Sequence, residues 1–511
     1  MLRTDQVSLP MCTSMDRSVA MMLWEATERG EDRPAIVERS GCTDYRALRH
    51  RAGSIGNHLR ELGVRPDERV AIFLERGADA AAAFFGAVSI GAITVIVNES
   101  LRARQIEHIL QHAGARVLIS SADLLARQPR APETTATVVL VSDIPLSAPS
   151  SPVGRVGGDV AQIIYTSGST GQPKGVTLTH ANLWAGARSV SSYLGISPED
   201  RIASLLPFSF DYGFNQLLCA VGNGAALIVE RSPVPQQIVG TLRSLEATVL
   251  AGVPPLWLQL LATESFRSQP LPRLRIMTNS GGRLPVEAVR SLRRAHPSAQ
   301  IFLMYGLTEA FRSTFLPPAE ADRHPDAIGQ AIPGAEILVV REDLTACDPG
   351  EVGELVHRGP TVALGYWNDP EATAKVFRAN PLRAAGAPDA ERVVFSGDLV
   401  RREKDGWLYY VARRDRMIKT LGYRVSPDEV AEALYASGQV QEGIVGSEPD
   451  AERGERIVAY VVLRATGTLE RLEEFCKAEL PRYMQPSRIE VRTELPRTSS
   501  GKHDLRAARG A

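Results

Sequence analysis

Residues 165–175 read Tyr165-Thr-Ser-Gly-Ser-Thr-Gly-Gln-Pro-Lys174-Gly175. Glycines at 168, 171 and 175 free the backbone to turn its N–H groups toward a ligand. The hydroxyls of Thr166, Ser167, Ser169 and Thr170 add donors that a polyanion accepts. Lys174 supplies a compact positive charge suited to phosphate. The run Ala161-Gln-Ile-Ile-Tyr165 leading into the loop predicts a buried strand, and Val176-Thr-Leu178 after it predicts another. The segment is therefore strand–loop–strand, which separates it from the Walker loop, GxxxxGK[ST], that opens a helix. Counted from Gly168 the sixth residue is Pro173, and Gly175 follows the lysine where Ser or Thr is needed. Alone, such a stretch also reads as a polar surface turn, so its meaning depends on the rest of the chain.

A chain of 511 residues has room for two or more domains. Its hydrophobic fraction of 44% and charged fraction of 23% are those of an ordinary globular protein. A net charge of −1 gives no reason to expect nucleic acid or an anionic membrane as partner. Five cysteines, at 12, 42, 219, 347 and 476, are widely spaced and form no CxxC. They suit reduced thiols in a cytoplasmic protein better than a disulfide framework or a zinc site. His108 and His112 could share a helix face, but the HExxH order is absent. The N-terminus lacks the apolar core of a signal peptide. Residues 80–97 carry no charge, yet Gly91 divides them into an Ala-rich half and a β-branched half, so a buried helix and strand are expected rather than a membrane span.

From residue 34 to 119 strand and helix patterns alternate, which implies parallel strands joined by crossovers. Residues 127–159, rich in Pro, Ser and Thr, read as a surface connection. Later strands run out into Pro207-Phe-Ser-Phe-Asp211-Tyr-Gly213, Asn279-Ser-Gly-Gly282 and Tyr305-Gly306-Leu-Thr308-Glu309, and ligands of α/β sheets gather at such carboxyl ends. A helix is expected from Phe214. Beyond about 336 the pattern turns to short strands. Ser426-Pro-Asp-Glu429 is a helix start, with serine at the cap and proline at the first helical position. The expected fold is α/β: a large N-terminal domain (1–415) of layered α/β subdomains plus a β-rich subdomain, with a small mobile α+β C-terminal domain (416–511).

The loop and four further strings together resemble, in order and spacing, the adenylate-forming superfamily of acyl-CoA synthetases, peptide-synthetase adenylation domains and luciferase. The resemblance covers roughly residues 18 to 505. It implies that the loop, from Thr166 through Ser167, Gly168, Ser169, Thr170 and Gly171 to Lys174, clamps the β- and γ-phosphates of ATP. In Tyr305-Gly306-Leu-Thr308-Glu309, Tyr305 resembles the aromatic that stacks on adenine, Thr308 the residue bonded to the adenylate phosphate, and Glu309 the Mg²⁺ ligand. Asp398 resembles the ribose-binding aspartate, Arg413 the second ribose contact, and Asp415 the hinge of the C-terminal domain. Gly422 resembles the face that meets the thiol. Lys502, in Pro496-Arg-Thr-Ser-Ser-Gly-Lys502, resembles the catalytic lysine of adenylation, and Gly282 and Arg283 resemble the loop that flanks adenine. Two departures are visible: Ser396 stands where threonine is usual, and Ala412 where glycine is.

The resemblance implies a two-step ligase with MgATP. A carboxylate attacks the α-phosphate, the C-terminal domain rotates, and a thiol of CoA or of a free carrier-protein phosphopantetheine displaces AMP. Asp211 lies where amino-acid-activating members hold the substrate ammonium. As a simple polar residue it would instead cap the helix from Phe214 or bind backbone amides, so amino and non-amino acids both stay open. Two alternatives are an acyl-AMP ligase that stops at the adenylate and a non-catalytic metabolite-binding homologue.

Overall fold

The computed structural model describes residues 17–510 apart from 129, 167–172, 385, 387–390, 415–416, 421–422, 451–453 and 499–500. The strand–loop–strand reading of the opening stretch holds: Val160–Thr166 and Lys174–Thr179 are strands and pair antiparallel. They belong to a seven-stranded sheet whose centre, Arg69–Phe73, Ile93–Ile96, Ala115–Ser120 and Val160–Thr166, is parallel. Ile93–Ile96 is buried throughout, as a strand covered on both faces must be. Residues 80–97 are the helix Ala78–Ser89 followed by that strand. Among the described residues no helix is long and apolar enough to cross a membrane.

One expectation fails here. Within 127–159, read as a surface connection, Thr137–Leu140 is a strand paired in parallel with Ala115–Ser120. It is four residues long, sits at the sheet edge and buries little, and its short apolar run, Val138-Val-Leu-Val141, is set among Pro-, Ser- and Thr-rich neighbours that read as loop.

The second sheet has a parallel core that includes Arg201–Ser204, Ala226–Val229, Val249–Gly252, Ile276–Asn279 and Gln300–Leu307. After Leu307 the chain reverses into antiparallel Ala310–Leu316 and continues into the β-rich part, where Val352–Arg358, Arg392–Arg402 and Leu408–Arg413 pair antiparallel. The helix expected from Phe214 starts earlier, as Asp211–Asn223, so Asp211 lies inside its first turn. A carboxylate there is favoured by the helix dipole.

The C-terminal part is a separate α+β unit, with its own core of Val430, Leu434, Leu472 and Cys476 among others. Its helix Pro427–Ala436 starts as expected, with the Ser426 hydroxyl accepting from the Glu429 amide. The strand Val440–Asp450, not anticipated, forms a long hairpin with Gly454–Leu463. Glu442, Gly443, Gly446 and Pro449 break the alternation by which it would have been seen. The structure therefore has the expected class, a large mixed α/β N-terminal domain and a small C-terminal one. Asp415 and Gly422, read as hinge and thiol-facing residue, lie outside the described residues.

Candidate active site

Two strands bring Asp398 and Arg413 together. In the ladder between Arg392–Arg402 and Leu408–Arg413 the two residues are direct cross-strand partners, and the guanidinium stands 3.6 Å from the carboxylate. Gly397, at φ +72, allows the turn of backbone before Asp398, and Arg413 packs so close that a Cβ at Gly397 would lie 3.2 Å from its Nη2. Asp398 is buried, and the Tyr305 hydroxyl donates to it. Burial and the charge of Asp398 push the Tyr305 phenol well up, so it stays a donor. One face of the Tyr305 ring is stacked on His357 at 6.0 Å between centroids. His357 shares a hydrogen bond with the Ser313 hydroxyl, and burial pushes its pKa down to about 3, so it packs as a neutral ring.

Tyr305 ends on a hairpin. Leu307 pairs with Ala310, leaving Thr308 and Glu309 as the two-residue turn. Gly306 has a packing reason to be glycine: a Cβ there would come within 2.8 Å of the Arg312 backbone. Thr308 is buried, and the Glu309 carboxylate accepts a hydrogen bond of 2.6 Å from the Tyr366 hydroxyl. The Lys174 ammonium lies 5.1 Å from the centroid of the same Tyr366 ring. Gly365–Tyr366 pairs with Lys174–Thr179, and the Trp367 amide donates to the Gly175 carbonyl. A Cβ on Gly175 would meet Ile163 at 2.8 Å and Trp367 at 3.3 Å, so the last glycine of the opening stretch is fixed by close approach. Thr166 ends its strand opposite Lys174, whereas Ser167, Gly168, Ser169, Thr170 and Gly171 lie outside the described residues.

The C-terminal part closes the other side. A Cβ on Gly281, at φ +80, would lie 3.0 Å from Lys502 Cε, and the Lys502 ammonium stands 5.3 Å from the centre of the Phe210 ring. The segment carrying Lys502 is held within its own domain. Both oxygens of Glu442 accept from Arg497 Nη2 at 2.9 Å, and His503 Nε2 lies 3.0 Å from one of them. Arg283 reaches across to Glu432 of the C-terminal domain at 3.7 Å, and Gly282 accepts from the Asn279 side chain through its carbonyl. Arg283 is therefore also a contact between the two domains.

Asp211 is 7% exposed and has no hydrogen-bond or ion-pair partner among the described residues. The helix-cap alternative does not describe it, because Phe210 is the cap residue and Asp211 is helical. Neighbouring Tyr212 is buried and bonds to Thr278, and its ring meets that of Phe210 edge-on at 6.2 Å. Three residues that the sequence did not single out thus belong to this region: Tyr366, Glu442 and Arg312. Arg312 is the only charged residue between Glu309 and Glu320, in the otherwise uncharged strand Ala310–Leu316, and that isolation was its available signal.

The family described as AMP-binding enzyme matches residues 23–367, and its C-terminal domain matches residues 429–502. The chain belongs to the AMP-binding enzyme family. It is thereby an adenylate-forming ligase. It is 29% identical over 505 residues to tyrocidine synthase 3 of Brevibacillus parabrevis, covering 97% of this chain and 8% of that protein. It is 31% identical over 483 residues to delta-poly-L-ornithine synthetase of Acinetobacter baumannii, covering 93% of this chain and 35% of that protein. The AMP-binding chain thus spans only a small part of these relatives. Among solved structures it resembles ATP-bound MatB from Rhodopseudomonas palustris, with TM-score 0.87, 25% identity and coverage of 97% and 99% of the two chains. It also resembles a benzoate CoA ligase from Burkholderia xenovorans LB400, with TM-score 0.86, 27% identity and coverage of 96% and 99%.

Proposed function

We propose that this AMP-binding enzyme joins a carboxylic acid to a phosphopantetheine thiol, of CoA or of a carrier protein, through an acyl-adenylate made from ATP. The observation that carries the reading is the convergence of Lys502 from the C-terminal domain on Gly281 and Phe210, within one site region that also holds the Thr308–Glu309 turn, Asp398 and Lys174.

The donor set fits the nucleotide. Asp398, aligned by Arg413 and Tyr305, offers carboxylate oxygens to a ribose diol, and Lys174 and Thr166 flank the loop proposed to hold the terminal phosphates. Among the described residues no three His, Cys, Asp or Glu side chains gather to hold a metal. Glu309 would hold a magnesium ion through its carboxylate, with phosphate and water oxygens supplying the other ligands, the usual arrangement for this ion. Bound there, the ion would supply positive charge that offsets the phosphates and lets an anionic acid approach.

The chain's own groups then divide the work. Thr308 and the hairpin N–H groups orient the α-phosphate, and Lys502 stabilises negative charge developing between the attacking carboxylate and that phosphate. Lys174 supports the pyrophosphate leaving group. In the second step residues 416–511 rotate about Asp415, withdraw Lys502 and bring Gly422 toward the thiol. Asp211 is assigned to the acid, and its carboxylate, unpaired among the described residues, suits an ammonium on that acid. ATP–pyrophosphate exchange with a panel of amino, fatty and aryl acids tests the reading. Exchange dependent on at least one acid is expected, and its absence with all of them overturns the proposal in favour of a non-catalytic homologue.

A further inference from the structure

The Arg312 guanidinium lies inside the protein without a counter-charge among the described residues. The residue is 2% exposed, and no carboxylate among the described residues pairs with it. Its Nη1 donates to the Ser280 hydroxyl at 2.6 Å, and its carbon stands 4.0 Å from the centre of the Tyr212 ring and 4.8 Å from that of Phe311. Its Nε and Nη2 are buried and have no acceptor among the described residues. A stack on an aromatic face compensates part of the charge but none of those two N–H donors. The backbone is also unusual: Arg312 has φ +47, the left-handed region, although it stands within the strand Ala310–Leu316. Such conformations persist where the surroundings impose them, and they collect at ligand sites.

The two idle donors are not scattered. Nε–H and the adjacent Nη2–H point the same way along one edge of the planar group, the fork that takes both oxygens of a carboxylate in parallel. The position is next to the proposed chemistry. Ser280, which holds the other edge, precedes Gly281, on which Lys502 packs, and Tyr212, which carries the guanidinium, packs on Phe210, over which the Lys502 ammonium sits.

We infer that Arg312 is a specificity residue that binds a second carboxylate on the acid, so that the substrate is a dicarboxylic acid of which one carboxyl is adenylated and the other is held by the Nε/Nη2 edge. This deepens the ligase reading above and rests on it. No covalent step is added: the second carboxylate stays ionised and is bound as an ion pair.

The test is ATP–pyrophosphate exchange with chain-matched pairs: succinate against butyrate, glutarate against valerate, phthalate against benzoate, and aspartate against alanine. At least one diacid should exceed its monoacid partner in kcat/KM by roughly 10⁴-fold, the range for a buried polar site left unpaired by the wrong substrate. In R312M that preference should collapse through a raised KM for the diacid, with KM for ATP unchanged; R312K, which keeps the charge and loses the fork, should fall between. The wild-type comparison stands even where a variant fails to fold. Exchange in which monoacids equal or exceed their diacid partners overturns the inference and leaves the ligase reading intact. Should no acid support exchange, the ligase reading falls. Calorimetric titration of the same diacids then decides the anion site alone: binding lost in R312M sustains it, and no binding overturns it.

Discussion

The Tyr366 hydroxyl donates to Glu309 Oε1 at 2.6 Å while the face of its ring receives the Lys174 ammonium at 5.1 Å. One tyrosine therefore touches both the carboxylate proposed to hold magnesium and the lysine of the phosphate loop. Burial, with the charge of Glu309 adding to it, pushes the Tyr366 phenol upward, so it remains a donor throughout the neutral range.

Tyr366→Phe should therefore leave the fold intact and weaken the metal-dependent step. Loss of a hydrogen bond that orients a metal ligand commonly costs about 10-fold or more. The midpoint of the Mg²⁺ dependence of pyrophosphate exchange should move to higher Mg²⁺ by about that factor. An unchanged midpoint would assign Tyr366 to packing alone.

Lys502→Ala should lower adenylation by ~10²-fold or more, the scale for one preorganised charge-stabilising group. Thioester formation from supplied acyl-AMP should be spared. Comparing the two half-reactions in one preparation checks this, and equal loss in both contradicts the role given to Lys502.

Glu442→Gln should reproduce part of the Lys502 phenotype from a distance. Its carboxylate takes two hydrogen bonds from Arg497 and lies beside His503, the residues bracketing the lysine segment. Weakening that clasp should reduce adenylation by about 10-fold, through an interaction of the strength expected for a charged hydrogen bond. The thioester step should again be spared, and no selective loss would mean that the segment is held by other contacts.

Acid should destabilise the protein through its buried histidines. Burial holds His180 and His296 at about 4 and His357 at about 3, below the ordinary value near 6.5. His180 and His296 accept backbone hydrogen bonds through Nδ1, from Val19 and Leu271, so the neutral ring is the one the fold uses. Below about pH 6.5 the unfolded chain takes up protons that the native chain refuses, so stability falls as pH drops from there toward 4. Each histidine contributes up to roughly 1.4 kcal/mol per pH unit in that window. Calorimetric unfolding between pH 7.5 and 5 should show the decline, and His296→Gln, far in sequence from the proposed site residues, should make it shallower. A flat profile contradicts the assignment.

Sequence alone conveyed the layered α/β design because its strands are dense β-branched runs separated by helices of ordinary length, as at Arg69–Phe73 and Ile93–Ile96. Val440–Asp450 was hidden because pairing with a neighbour, not local pattern, makes it a strand, whereas the apolar run of Thr137–Leu140 was masked by the Pro- and Ser-rich residues around it. The site was legible where its residues sit in short strings, as Thr308 and Glu309 do. Tyr366 and Arg312 were not, since their significance lies in what surrounds them: a carboxylate 57 residues away, and the want of one among the described residues. Asp211 was legible as a residue but not as a helix position, because the helix begins at an aspartate that carries no capping bond.

The clasp at Glu442 has a mechanical consequence. Because Arg497 and His503 are tied to a strand of the C-terminal sheet, Lys502 cannot leave the site by peeling away as a loose tail. It must be carried out by the whole domain, and that travel also has to part Arg283 from Glu432. In the proposed reaction the first half therefore ends as a docking event is undone, and the proposed acceptor thiol competes with a lever rather than with a side chain.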